Sequence, residues 1–319
     1  MSNRYLLILV LYSLASFGSL LVLGEAALLL LRRHALWIIE RLRPSDGVIA
    51  HLVFRLLPSL LALVLTLLAA VPGYFHGEPM GTHELPGFWL SSLAFLGLYA
   101  IVRPIMRVLS VGLRTTATTK NWSAHAVAKA TFSSFPLVDL ALQEPLIVAS
   151  GILRKSIFVS EPVRSLLSPR ELRAALRHEA AHCRQSHNLA KLLCALAPHL
   201  TTCEVMEESL RDTIEYAADD EACTVAGDAL NLASAVVILA QQAATQSSKL
   251  MYSALVDARQ AASIERRVAR LVLHKDCSDR SMFTQLATGY AALVALTTAL
   301  SLLPAAQHAF REILELLVR

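Results

Sequence analysis

Four long apolar runs set the layout of the chain, with a mixed, more polar stretch between the third and the fourth. The first, residues 5–31, is interrupted late by Glu25 and is long enough to cross a bilayer as a helix. It is too long, and its charged leader too slight, for a cleaved signal peptide. The second, residues 49–71, carries Arg55 and Pro58 near its start; the third, residues 88–102, continues through Arg103-Pro104-Ile105-Met106-Arg107 to about Leu113. The fourth, residues 283–303, ends at Pro304 and leads into a short amphipathic tail with Phe310, Ile313, Leu314 and Leu317 on one side. Residues 115–134 turn to Thr, Ala, Ser and Lys and read as a linker or the start of a soluble domain. Three β-like runs follow, at 137–142, 145–149 and 156–160, and suggest a small antiparallel meander. Helical patterns then cover 170–184, an apolar stretch 189–200 too short for a confident span, an acidic stretch 203–226, an apolar one at 228–243 and a basic one at 264–273. A polar, mobile segment is expected at 244–263.

Composition makes the membrane reading stronger. Hydrophobic residues are 55% and charged residues 17% of 319, more apolar surface than a soluble core of this size can hide. Orientation follows from Lys and Arg. Arg32, Arg33, Arg41 and Arg43 follow the first run, Arg103, Arg107, Arg114 and Lys120 follow the third, and the loop 73–87 has none. The first loop and the region after the third helix are therefore expected inside, and both termini outside. The net charge of +4 comes without a dense basic run, which argues against nucleic acid. Five cysteines, Cys183, Cys194, Cys203, Cys223 and Cys277, lie in the inner region without zinc-knuckle spacing and read as free thiols. The expected architecture is mainly α: a polytopic membrane protein of four transmembrane helices with a cytoplasmic α+β domain between helices three and four. Its boundaries fall at 1–113, 114–281, 282–304 and 305–319.

The candidate chemistry sits in His178-Glu179-Ala180-Ala181-His182. Ser168-Pro169-Arg170-Glu171 has the form of a capping box with proline at the first helical position, and Leu172, Ala175, Leu176, Ala180 and Cys183 make an apolar stripe at helical spacing. On such a helix His178 and His182 share a face and can close on one zinc ion, with Glu179 beside the open coordination position. A third ligand must come from elsewhere. The acidic stretch offers Glu204, Glu207, Glu208, Asp212, Glu215, Asp219, Asp220 and Glu221, and composition does not choose among them. Glu215 and Asp219 stand at i and i+4, so one carboxylate can bind metal while the other orients a ligating histidine.

His178-Glu179-Ala180-Ala181-His182 followed by Glu215-Tyr216-Ala217-Ala218-Asp219 resembles the membrane zinc metallopeptidases of the BlaR/MecR type, the beta-lactam sensor-transducers and their relatives. These form a gluzincin clan shared with the HtpX-like and CAAX prenyl proteases. Gly151-Ile152-Leu153-Arg154, Ile157-Phe158-Val159, Asn188-Leu189 and Ile264-Glu265-Arg266-Arg267 agree, and the similarity is best over about 137–275. The resemblance implies a zinc endopeptidase in a bacterial-type plasma membrane, with one Zn2+ held by His178, His182 and Glu215, Asp219 behind them and Glu179 as the catalytic base. His187 departs from it, standing where many relatives have an acidic residue. The sequence also ends in a short tail where the antibiotic receptors carry a penicillin-binding sensor, so beta-lactam sensing is not carried over.

The expected partners are a protein or peptide substrate, membrane lipid and a sensor or regulator protein. Ser156, Ile157, Phe158, Val159 and Ser160 are a candidate edge strand for an extended substrate. Tyr216, His187, His199 and Arg211 are open candidates for stabilising the oxyanion, while His125 and His274 read as surface residues. Two competing readings remain: a signalling or scaffold protein with a structural zinc site, and an HtpX-like membrane quality-control protease.

Overall fold

A computed structural model describes residues 3–77, 87–198, 204–223, 227–247, 254–273 and 280–318. His199, Cys203, His274 and Cys277, most of the outer loop and part of the 244–263 segment lie outside these residues. Cys183, Cys194 and Cys223 are free thiols.

The apolar runs form helices that overshoot their hydrophobic limits. Helix α1 (Asn3–Ile39) continues through Arg32 and Arg33 and ends in a short turn where Arg41 stacks 3.5 Å over the Trp37 ring centroid. Pro44 opens α2 (Pro44–Leu65), where its missing N–H costs nothing. The second run does not stop at Val71. Pro72 cannot donate to the carbonyl four residues back, and its ring crowds that carbonyl. The rod accommodates it with a π-helical turn (Thr66–Ala70) before α3 (Val71–Gly77), and the Gln307 side-chain amide donates to the Leu68 carbonyl at 3.3 Å. Helix α4 (Phe88–Ala124) runs well beyond Leu113, so the expected linker is helix to Ala124. Within it Thr116, Thr119 and Ser123 satisfy their hydroxyls by donating to carbonyls four residues back.

Beyond the α4 end, Ser133 and Ser134 take positive φ angles of 48° and 71° and make the two-residue turn between β1 (Ala126–Phe132) and β2 (Phe135–Leu140). Strands β3 (Ile147–Ser150) and β4 (Ser156–Ser160) complete a sheet of order β1-β2-β4-β3. The expected meander is corrected here: β4 pairs parallel with β2 and antiparallel with β3. The reason lies in the unbroken apolar run Ile157-Phe158-Val159, buried on both faces, which belongs in a sheet interior. Ser156–Ser160 is therefore not an edge strand; β3 is.

Helix α5 (Glu161–Leu166) leads into α6 (Pro169–Arg184), which starts with the expected capping box: Ser168 Oγ accepts from the Glu171 N–H, and Glu171 Oε2 accepts from the Ser168 N–H at 2.8 Å. Ala175, Leu176, Ala180 and Cys183 press α6 onto Ile157 and Val159 of β4. Then come α7 (His187–Leu196), α8 (Glu204–Ala222), α9 (Asp228–Ser247), α10 (Ala254–Leu273), α11 (Arg280–Ser301) and α12 (Pro304–Val318). Residues 254–263, expected to be mobile, are the first half of α10.

Among the described residues, four helices are long and apolar enough to cross a membrane: Tyr5–Ile39, Pro44–Phe75, Phe88–Ala124 and Phe283–Ser301. α1 packs between α2 and α4. Its approach to α4 needs glycine on both sides, since a Cβ added at Gly97 would lie 2.0 Å from the Leu14 carbonyl oxygen. Phe310 of α12 packs against the cluster of Tyr5, Tyr12, Ala70 and Tyr74.

Candidate metal centre

Helix α6 presents both histidines on one face, and their Nε2 atoms stand 3.1 Å apart. Helix α8 brings Glu215 to them, with Oε2 at 3.4 Å from His178 Nε2 and Oε1 at 3.7 Å from His182 Nε2. One donor atom from each residue lies within 4.8 Å of the others. Donors on bonds of about 2 Å around a tetrahedral ion stand about 3.3 Å apart, so the three fit a single zinc-sized ion and leave a fourth direction open. Two imidazoles and one carboxylate are also the borderline donor set that zinc accepts at open sites.

The other acidic residues of α8 with a described ion pair are engaged elsewhere. Glu207 faces Arg55 and Arg107, Glu208 and Asp212 face Arg266, Asp220 pairs with Arg270, and Glu221 pairs with Arg184. Asp219 Oδ1 lies 2.9 Å from His178 Nδ1, so the carboxylate can fix that ring with Nε2 free for a metal. Burial works against protonation of His178, but without an ion Asp219 and Glu215 outweigh it and raise its pKa to about 9, so a metal at Nε2 would displace a proton there.

His182 is held by a different chain of contacts. Its Nδ1 is 2.8 Å from His187 Nδ1, His187 Nε2 is 3.0 Å from Gln185 Oε1, and Gln185 Nε2 bonds the Ala217 carbonyl and Glu221. One proton assignment satisfies the whole row. His182 donates from Nδ1 and keeps the Nε2 lone pair for a metal; His187 accepts at Nδ1 and donates from Nε2. Burial pulls the His187 pKa down to about 4, which keeps it neutral as this row requires. Ser186, in the left-handed region at φ 56°, turns the chain so that His187 folds back under α6. His187→Leu should leave the His182 Nδ1–H buried without an acceptor and weaken zinc binding by roughly 10–100-fold in a chelator competition. Unchanged affinity would show that the row has no hold on the ligand.

Glu179 points from α6 toward the sheet edge, where its Oε2 accepts the Ala149 N–H at 2.6 Å. Burial raises its pKa above the ordinary carboxylate range, toward what a proton acceptor near neutral pH needs. Asn188 donates to the Ala149 and Gly151 carbonyls at 3.2 Å, so the edge strand β3 is tied to the site from both sides.

Arg267 of α10 is the residue for which sequence reasoning found no role. It forks onto Asp219 (Nη2–Oδ1 2.8 Å, Nε–Oδ2 3.0 Å) and reaches Glu215 Oε2 with Nη1 at 2.9 Å. A guanidinium stays charged whatever its surroundings, so it balances one buried and one partly buried carboxylate and fixes both. The only signal for it was its place in Ile264-Glu265-Arg266-Arg267. Among the oxyanion candidates, His187 is committed to His182, Tyr216 packs under the Arg270 guanidinium at 5.1 Å, and Arg211 is exposed. His199 lies outside the described residues. His125 is exposed, as expected.

Residues 123–257, less than half of the chain, match the family model described as Peptidase family M48. No curated protein and no solved structure matches the chain. The matched segment contains β1 to β4, His178, Glu179, His182, Glu215 and Asp219, and it stops short of Arg267. With the four apolar helices it indicates a membrane metallopeptidase. It does not single out the BlaR/MecR type.

Proposed function

We propose that the chain is an integral-membrane zinc endopeptidase that cleaves a cytoplasmic or membrane-proximal protein in regulated proteolysis or signalling. The observation that carries this reading is the convergence of His178, His182 and Glu215 with Glu179 beside them, each facing a polar partner of its own. Zinc bound there would acidify a water and polarise the scissile carbonyl. Glu179 would serve as the base that takes a proton from the attacking water and passes it to the leaving amine. Asp219 and Arg267 keep His178 and Glu215 in place through both steps, and the His187–Gln185 row does the same for His182. Edge strand β3 stands beside Glu179, and an extended peptide pairing with it would take over the Ala149 N–H that Glu179 now accepts from.

The basic residues after the first and third apolar helices support a site on the inner face of a bacterial-type plasma membrane, with both termini outside. A reporter placed after Arg319 should then behave as external and one inserted near Lys120 as internal; the reverse pattern would sink the cytoplasmic-substrate reading. The proteolytic role is tested by comparing new protein N-termini in cells carrying the wild-type chain and Glu179→Gln. Termini confined to wild type support the reading, few for a dedicated regulator and many for a quality-control protease. Identical profiles, with zinc still bound, favour a scaffold with a structural zinc.

A further inference from the structure

Helix α8 lies between α6, which carries the two histidines, and membrane helix α2. Glu215 and Asp219 face α6. The opposite side, Ser209, Thr213, Ile214 and Ala217, faces α2, because two residues along a helix turn the side chain by about 200°. The contact with α2 runs through three of its turns. At the first, a Cβ added to Gly47 would lie 2.9 Å from Thr213 Cγ2, and the neighbouring Val48 is buried with Ile214, Ala217 and Ala190. At the second, buried His51 has Nε2 at 3.2 Å from Ser209 Oγ and 3.5 Å from Thr213 Oγ1. At the third, Arg55 Nη2 is 3.6 Å from Glu207 Oε1. A buried histidine meeting hydroxyls across two helices fixes their register more sharply than apolar contact does, since sliding by one turn would orphan it.

The two histidines are anchored through α6 to the sheet, whereas Glu215 rides on α8. Their spacing therefore depends on how α8 is held from both sides, by α6 and by α2. A metal site tolerates displacements of only about 0.5 Å before the geometry is lost. We infer that Gly47, Val48 and His51 of membrane helix α2 are positioning residues for the metal site, setting where Glu215 stands against His178 and His182. The membrane helix is then part of the site's scaffold, and any rearrangement of the bundle that shifts α2 alters the site directly. This rests on the metal site proposed above.

The test uses the full chain in lipid nanodiscs. Zn2+ affinity is measured by competition with a chromogenic chelator, and ligand geometry by the visible absorption of bound Co2+. His51→Leu should weaken Zn2+ binding at least about tenfold and alter the Co2+ spectrum, as loss of an outer partner does, while His51→Gln, which keeps a hydrogen-bonding group, should recover most of it. Gly47→Ala should weaken binding in the same direction, and adding Thr213→Ser, which removes the crowding methyl and keeps the hydroxyl, should restore it. This second pair decides the matter if His51→Leu does not fold. Wild-type affinity within about twofold, with a wild-type Co2+ spectrum, in both Gly47→Ala and any folded His51→Leu would overturn the inference and leave the metal site standing. Failure of the wild-type chain to bind Zn2+ would overturn both.

Discussion

Glu179→Gln should lower peptide-bond hydrolysis by roughly 10²–10⁴-fold, the usual worth of a positioned proton acceptor, while leaving metal binding intact. The separation of the two effects follows from where the carboxylate stands. Glu179 is not among the grouped donor atoms; its Oε2 is directed to the Ala149 N–H. Glutamine has nearly the same shape and keeps an oxygen to accept that bond, so the strand edge and the three ligands should stay as they are. What it lacks is the capacity to take a proton. A kinetic comparison at matched metal content reads the effect in kcat, and a variant that hydrolyses at the wild-type rate would remove Glu179 from the chemistry.

Glu215→Ala should act on the metal itself. With two histidines left, affinity should fall well beyond the roughly 10–100-fold that loss of an outer-shell partner costs, and activity should vanish with the metal. The carboxylate also shares the Arg267 guanidinium with Asp219, so its removal loosens the partner that holds His178. Glu208→Ala is the matched control on the same helix. Glu208 is half exposed, stands 4.0 Å from Arg266 and should change affinity by little, as exposed pairs do. Equal losses in the two variants, or none in Glu215→Ala, would move the third ligand elsewhere.

Much of this site was legible because its information is local. The spacing of His178 and His182, the Ser168–Glu171 cap and the apolar stripe beneath them all lie within one helix, and helical periodicity is the strongest signal a sequence carries. Glu215 and Asp219 were legible as a pair for the same reason, although only the geometry brings Glu215, and not its acidic neighbours, to the two histidines: each of those with a described ion pair faces an arginine. Arg267 escaped because its partners lie 48 and more residues away, and no local pattern marks a contact between helices. His187 escaped for another reason. Its role depends on the left-handed turn at Ser186, a conformation a serine does not advertise. Strand order was misread where a short apolar run, 156–160, fitted an edge and an interior equally well until its burial was known. The membrane helices show the same limit. Their existence was plain, but their ends were not, because the helix runs on through Thr116, Thr119 and Ser123 where composition reads as a linker, and Pro72 bends the ladder into a π turn without ending it.

The central claim is that His178, His182 and Glu215 form one metal centre, and the most direct measurement is metal stoichiometry on the purified full-length chain in nanodiscs. After dialysis against zinc and removal of the loosely bound excess, wild type and Glu179→Gln should each retain one zinc per chain, and His182→Ala and Glu215→Ala none. Equal zinc in all four proteins, or none in wild type, would contradict the account.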